Sequence, residues 1–171
     1  MNTNIQMKVK DIDWDSWTPE LVATLMFVMR NNEVLLIRKK RGIGAGKING
    51  PGGRIELGET PLECAVRETK EELHIRPKNV LPAGELFFHA EDEMPRIHAY
   101  LFIATDYDGE PVETDEAIPI WTPIGDLPFD EMWEDDRLWL PSVLAGNTVR
   151  AWFTFVGESL IDDLVRIYPA H

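Results

Sequence analysis

Gly53-Arg54-Ile55-Glu56-Leu57-Gly58-Glu59-Thr60-Pro61-Leu62-Glu63-Cys64-Ala65-Val66-Arg67-Glu68-Thr69-Lys70-Glu71-Glu72-Leu73-His74-Ile75 joins a glycine loop to a helix lined with carboxylates. Thr60, Pro61 and Glu63 predict where that helix begins. A threonine hydroxyl caps a free amide, proline suits the first helical position, and a glutamate three residues on closes a capping box. Leu62, Ala65, Val66, Thr69 and Leu73 recur at helical spacing and predict one inward stripe over about residues 60–73. Glu68, Glu71 and Glu72 share a different face. Three like charges there weaken an isolated helix unless something neutralises them. A hard divalent cation would do so: oxygen-only ligands select Mg²⁺ or Mn²⁺, and Mg²⁺ commonly shares its coordination with substrate phosphates and water. Taken alone, three carboxylates read more simply as a solvated surface. Gly52-Gly53, Glu59 and Arg67 at their offsets turn the reading toward a metal and phosphate site.

The spacing closely resembles that of the Nudix (MutT-like) hydrolases, G-x5-E-x7-R-E-U-x-E-E-x-G-U with U aliphatic. Gly53, Glu59, Arg67, Glu68, Glu71, Glu72 and Ile75 fall on its fixed positions, while Thr69 and His74 replace an aliphatic residue and a glycine. The resemblance implies an α+β fold, a mixed β-sheet sandwiched between α-helices. It implies Mg²⁺, with Mn²⁺ as the substitute, held by the Gly53 carbonyl, Glu68, Glu71 and Glu72. Glu71 or Glu72 would serve as general base, and Arg67 would orient Glu59 and the neighbouring carboxylates. Thr69 can return its hydroxyl to a carbonyl one turn earlier. His74, just past the helix end, is expected in the left-handed turn that glycine usually supplies.

The net charge of −13 is unevenly spread. Residues 91–136 hold fifteen Asp and Glu against the single Arg96. Residues 30–54 instead hold Arg30, Arg38, Lys39, Lys40, Arg41, Lys47 and Arg54 against Glu33. A basic strip just before the glycine loop suits a phosphate-bearing substrate, or blunts a strand edge. Overall acidity argues against a nucleic-acid polymer as partner. Cys64 is the only cysteine, so no intramolecular disulfide forms and the chain fits a reducing, cytoplasmic setting. It sits on the helix away from any evident pocket motif, which argues against a nucleophilic role. No signal peptide is visible, and the apolar run Leu21 to Met29 is too short to cross a bilayer.

Residues 1–18 read as an N-terminal extension, with Trp14 and Trp17 folding back on a body of residues 19–171. Leu21 to Met29, Val34 to Lys39, Val80 to His89, Ile97 to Asp106, Ala117 to Thr122 and Val149 to Phe155 predict strands. A short strand is expected at Lys47 to Asn49 inside the glycine-rich loop. Asp135 and Asp136 open a second helix, with Leu138, Leu140, Val143 and Leu144 inward and Gly146 as its stop. Leu160 to Tyr168 is ambiguous between strand and helix by pattern, and the Nudix resemblance favours a strand. His89 and His98 read as strand side chains rather than ligands.

The resemblance extends over about residues 21–168 and narrows to the oxidised-purine nucleoside triphosphatases. The stretches Lys40 to Gly50, Pro111 to Glu116 and Phe129 to Asp136 carry it. It implies that Asn49, Asp135 and Asp136 hydrogen-bond the base, that Trp133 stacks on it, and that Glu116 approaches the metals. Phe88 and Lys39 complete the expected substrate-binding set, whereas Ile43 and Ala90 stand where the best-known members carry aromatics. A purine needs a flat π-surface and edge-directed donors and acceptors, which these side chains offer. Two adjacent carboxyls in a dry pocket cannot both ionise cheaply, so one keeps its proton and donates. The simpler alternative makes Asp135 a helix N-cap and Trp133 core packing. The expected reaction is hydrolysis of a nucleoside triphosphate to monophosphate and pyrophosphate; a nucleotide sugar, ADP-ribose or a capped RNA end is the alternative substrate. Sequence assigns no oligomeric state.

Overall fold

Met26, Phe27 and Val28 are all fully buried, and this run fixes how the layers stack. Successive side chains of a strand point to opposite faces, so a strand buried on both faces must lie inside a three-layer structure. Met26 and Val28 join Leu35, Ile37, Ala65, Leu73, Ile75, Phe102 and Ala104 on the face covered by the first helix. Phe27 joins Val34, Leu36, Leu86, Leu101, Trp139, Leu140, Val143 and Phe153 on the face covered by the second. The mixed sheet between helices predicted from sequence is thus present in this computed structural model, which describes residues 6–170.

Nine strands form one sheet in the order β3 (Ile48–Asn49), β2 (Glu33–Lys39), β1 (Leu21–Arg30), β6 (Ile97–Asp108), β5 (Arg76–Ala90), β8 (Thr148–Val156) and β9 (Ser159–Tyr168). Off this path, β4 (Gly52–Arg54) pairs with β1 and β7 (Ala117–Pro123) with β2. The β1–β6 and β5–β8 pairs are parallel and the rest antiparallel. The ambiguous 160–168 segment is therefore strand. Its pairing with β8 along the whole segment supplies what its own periodicity leaves undecided.

Helix α1 (Pro61–Leu73) starts as its sequence requires. The Thr60 hydroxyl accepts from the Glu63 amide at 3.1 Å, and the Glu63 carboxylate accepts from the Thr60 amide at 3.3 Å. His74 ends it in the left-handed region (φ 61°, ψ 29°), its amide donating to the Lys70 carbonyl. The Thr69 hydroxyl returns to the Ala65 carbonyl at 2.8 Å. The inward stripe is displaced from the one predicted: Cys64, Ala65, Thr69, Glu72 and Leu73 are buried, whereas Leu62 is 45% exposed. The cause is that α1 packs on β4 as well as on β1, which draws the 64/68/72 side inward. In α2 (Asp136–Leu144), Trp139, Leu140, Val143 and Leu144 face the sheet. Leu138, expected inward, is 37% exposed because it falls off that stripe.

The segment before β1 lies against the sheet. Val9 is buried, and Trp14 and Trp17 meet Phe87 edge-on with ring centroids 6.5 and 6.1 Å away. Among the described residues, no helix is long and apolar enough to cross a membrane.

Candidate active site

Two glycines bring the loop, the sheet and α1 together. A Cβ on Gly52 would lie 1.8 Å from the Thr24 carbonyl oxygen, and one on Gly53 2.5 Å from the Glu68 carboxyl carbon. Only a residue without a side chain lets β4 lie between β1 and α1 with its backbone against a carboxylate. There Glu68, Glu72 and Glu116 each place an oxygen within 4.8 Å of the others. Glu72 is 5% exposed and its Oε2 has no hydrogen-bond partner among the described residues. Burial, then the charges of Glu68 and Glu116, push its pKa up to about 8. Burial also raises that of Glu68. An orphaned buried oxygen among crowded carboxylates, with a glycine backbone beside them, is a donor set that fits a hard divalent cation. Glu71 stands outside this trio, half-exposed, with its Oε2 3.3 Å from Arg67 Nη1.

Arg67 ties these carboxylates to the loop. Its Nε and Nη2 grip Glu59 at 2.6 and 2.9 Å, a bidentate pair that holds the Glu59 carboxyl at about 2. Nη1 reaches Glu68 at 2.9 Å, and Nη2 donates to the Arg54 carbonyl at 3.2 Å. Cys64 corrects the expectation that it lies away from the site: its thiol is 3.5 Å from the Gly53 carbonyl and 3.3 Å from the Thr24 hydroxyl. It is fully buried, and burial pushes the thiol up to about 11, so it packs as a small apolar group rather than a nucleophile.

A cavity of about 330 Å³ runs from Gly52, Gly53 and Arg54 to Trp133, Asp135 and Asp136. Asn49, Phe88 and Lys39 also line it. The Asn49 Oδ1 accepts from the Gly50 amide at 2.8 Å, and Lys39 Nζ donates to the Ile43 carbonyl at 2.6 Å. Trp133 meets Phe155 edge-on, and Lys47 Nζ lies 5.1 Å from its ring centre. Asp135 and Asp136 are 1% and 3% exposed. Asp135 occupies the N-cap position without capping; its Oδ2 instead accepts from Trp139 Nε1 at 2.8 Å. Burial raises both carboxyls, and the charge of Asp135 raises Asp136 further, so the pair holds a proton that an exposed aspartate would release. His89 lines the cavity from the end of β5, and His98 pairs with Glu85 at 2.9 Å, away from it.

The basic strip is largely neutralised. Arg38 pairs with Glu131, Lys40 with Glu113, Arg41 with Glu116 and Lys47 with Glu158. Lys39 is different: among the described residues its side chain bonds only a carbonyl, and its charge lowers the pKa of Glu72. Sequence reasoning passed over Trp139, whose spacing four residues beyond Asp135 on one helix was the available signal. It also missed Met94, Pro95 and Ile97 on the cavity wall, for which the sequence carries no motif.

The NUDIX domain family matches residues 19–143. The chain is 40% identical over 140 residues to an oxidized purine nucleoside triphosphate hydrolase of Danio rerio, covering 82% of this chain and 90% of that protein. To the protein of the same name from Mus musculus it is 33% identical over 138 residues, covering 81% and 88%. Among solved structures, a MutT protein from Bacillus halodurans superposes with a TM-score of 0.77 at 26% identity, covering 85% of this chain and 97% of that one. The chain belongs to the Nudix hydrolase family.

Proposed function

We propose that this protein is a divalent-cation-dependent nucleoside triphosphate pyrophosphohydrolase. It releases a nucleoside monophosphate and pyrophosphate, and acts on oxidised purine nucleotides such as 8-oxo-dGTP or 2-hydroxy-dATP. One observation carries this reading: a single cavity is continuous from the glycine strand beside Glu68 to Trp133 and the buried aspartate pair. On this reading the phosphates would lie at the glycine strand and the base at Trp133. The names of the fish and mouse relatives support the same class of base.

Glu68, Glu72 and Glu116, with the Gly53 carbonyl and Glu71 at the rim, would hold Mg²⁺, or Mn²⁺ in its stead. A bound divalent cation supplies charge neutralisation for the polyphosphate and a more acidic water. Of the two candidates for general base, Glu72 sits within the carboxylate trio. With a cation offsetting the charges of Glu68 and Glu116, its carboxylate would be ionised and able to take the attacking water's proton. Arg67 fixes Glu59 and Glu68 from behind and does not touch substrate. Lys39 offers a point charge toward the phosphates.

At the other end, Trp133 and Phe88 offer aromatic faces and Asn49 an edge-directed amide. One carboxyl of the Asp135–Asp136 pair keeps a proton and donates while the other accepts, so the pair presents both hydrogen-bonding characters to a purine edge. A single buried cysteine is compatible with work in the reducing cytoplasm.

The deciding assay is kcat/KM for 8-oxo-dGTP, 2-hydroxy-dATP, dGTP and dATP with Mg²⁺, scoring pyrophosphate against orthophosphate. Pyrophosphate release with a preference of about tenfold or more for an oxidised purine is expected. Orthophosphate release, or equal use of all four, would overturn the reading.

A further inference from the structure

The family match begins at residue 19, yet Trp17, before it, bonds a side chain that lines the cavity. His89, 9% exposed, lines that cavity. Its Nδ1 is 3.1 Å from Trp17 Nε1 and its Nε2 2.8 Å from Glu91 Oε1. An indole N–H only donates, so Nδ1 accepts and the ring proton of neutral His89 sits on Nε2, directed at Glu91. Trp17 thus fixes both the orientation and the tautomer of a cavity-lining side chain. Its ring packs on Trp14 and Phe87 at centroid distances of 5.2 and 6.1 Å.

The same segment pins the far end of the loop that follows. Arg96 Nε donates to the Thr18 carbonyl at 3.1 Å, and the Arg96 amide donates to Glu20 Oε1 at 3.2 Å. The Glu20 and Leu21 amides in turn donate to the Arg96 carbonyl at 2.8 and 3.1 Å. Between these anchors run Glu91 to Arg96, which form bends and coil rather than a ladder. Ala90, Met94 and Pro95, all within the anchored stretch, line the cavity. A loop with no regular pairing of its own keeps a fixed shape only where something outside holds it. A wall held before the ligand arrives spares the ligand the cost of ordering it.

We infer that Trp17 is a positioning residue for nucleotide binding, acting through His89 to hold the Ala90–Pro95 wall of the base pocket. This rests on reading the cavity as the nucleotide site. Trp17→Phe keeps an aromatic ring against Trp14 and Phe87 while removing the N–H donor along with part of the ring surface. It is expected to raise the Kd of a non-hydrolysable nucleoside triphosphate, read by calorimetry, by about fivefold, the ordering cost of a side chain or two that binding would then have to meet. kcat should stay within about twofold and inorganic tripolyphosphate, which has no base, should bind as in the wild type. In a His89→Ala background, Trp17→Phe should add nothing, because the route is already cut.

A lowered melting temperature with unchanged nucleotide Kd would make Trp17 a mere anchor of the N-terminal segment and overturn the inference. Equal weakening in the His89→Ala background, or equal loss of tripolyphosphate binding, would overturn it as well. Failure of the underlying reading looks different: the wild type itself would bind no nucleoside triphosphate.

Discussion

Glu72→Gln separates the cost of the carboxylate cluster from its use. The Glu72 carboxyl is raised from 4.5 to about 8, first by burial and then by Glu68 and Glu116, with Lys39 and the Gly52 amide pulling the other way. In metal-free protein the native state therefore keeps a proton that the unfolded chain releases once the pH passes 4.5. Because the native state binds more protons, this group's contribution to stability falls as pH rises from 4.5 to about 8 and is level above that. Each unit of separation is worth about 1.4 kcal/mol. With the side chain 5% exposed, solvent screens little of it, and the cost above pH 8 is on the order of 3–5 kcal/mol. Glutamine is a neutral near-isostere and carries none of this cost.

Thermal melts in EDTA test the reasoning. Near pH 4.5 the variant and the wild type should melt together, since both then carry a neutral side chain at this position. Near pH 9 the variant should melt higher, by roughly 10 °C for a domain of this size. Added Mg²⁺ should close the gap by stabilising the wild type much more than the variant. Turnover in Glu72→Gln should meanwhile fall by about a thousandfold or more. Melting curves that stay parallel at every pH would refute the electrostatic argument, and near-normal turnover would refute the catalytic one.

Gly53→Ala places a methyl group where the Glu68 carboxylate now lies, so turnover should drop by about a hundredfold with far-ultraviolet circular dichroism unchanged. Arg67→Lys keeps the charge but loses the two-pronged grip on Glu59; kcat measured at saturating nucleotide should fall by about tenfold or more. Trp133→Ala removes a flat face from the base end. It should raise KM by about tenfold for purine nucleotides and leave tripolyphosphate binding intact, a split visible in steady-state kinetics and calorimetry. Thr60→Ala opens the capping box and should cost about 1 kcal/mol in a urea melt without changing kcat.

Several features were legible because they depend on residues close in sequence. The Thr60–Glu63 box, the left-handed turn at His74 and the hydroxyl return of Thr69 are contacts within one or two turns of chain, and each took the form its residues dictate. Strand positions followed from apolar runs, and the resemblance chose correctly for β9 where periodicity did not. The misplaced leucines show the limit. Leu62 and Leu138 are apolar and at plausible spacing, but which arc of a helix is covered depends on the neighbour it meets. For α1 that neighbour includes the two-glycine strand, and the contact turned Cys64 and Glu72 inward.

Spacing along one helix was enough to put Glu68 and Glu72 on a common side, because the α-helix fixes which residues share a face. The order of charges along the chain likewise separated the acidic stretch of residues 91–136 from a basic strip. Tertiary structure decided the rest. It brought Glu116 from a distant loop to within 4.8 Å of the helix carboxylates and stripped solvent from Glu72 and the Asp135–Asp136 pair. It silenced most of the basic strip with partners dozens of residues away, and it laid Trp17 against a wall of the cavity. Proximity and desolvation arise only when remote segments pack, and they set the proton affinities on which the proposed chemistry depends.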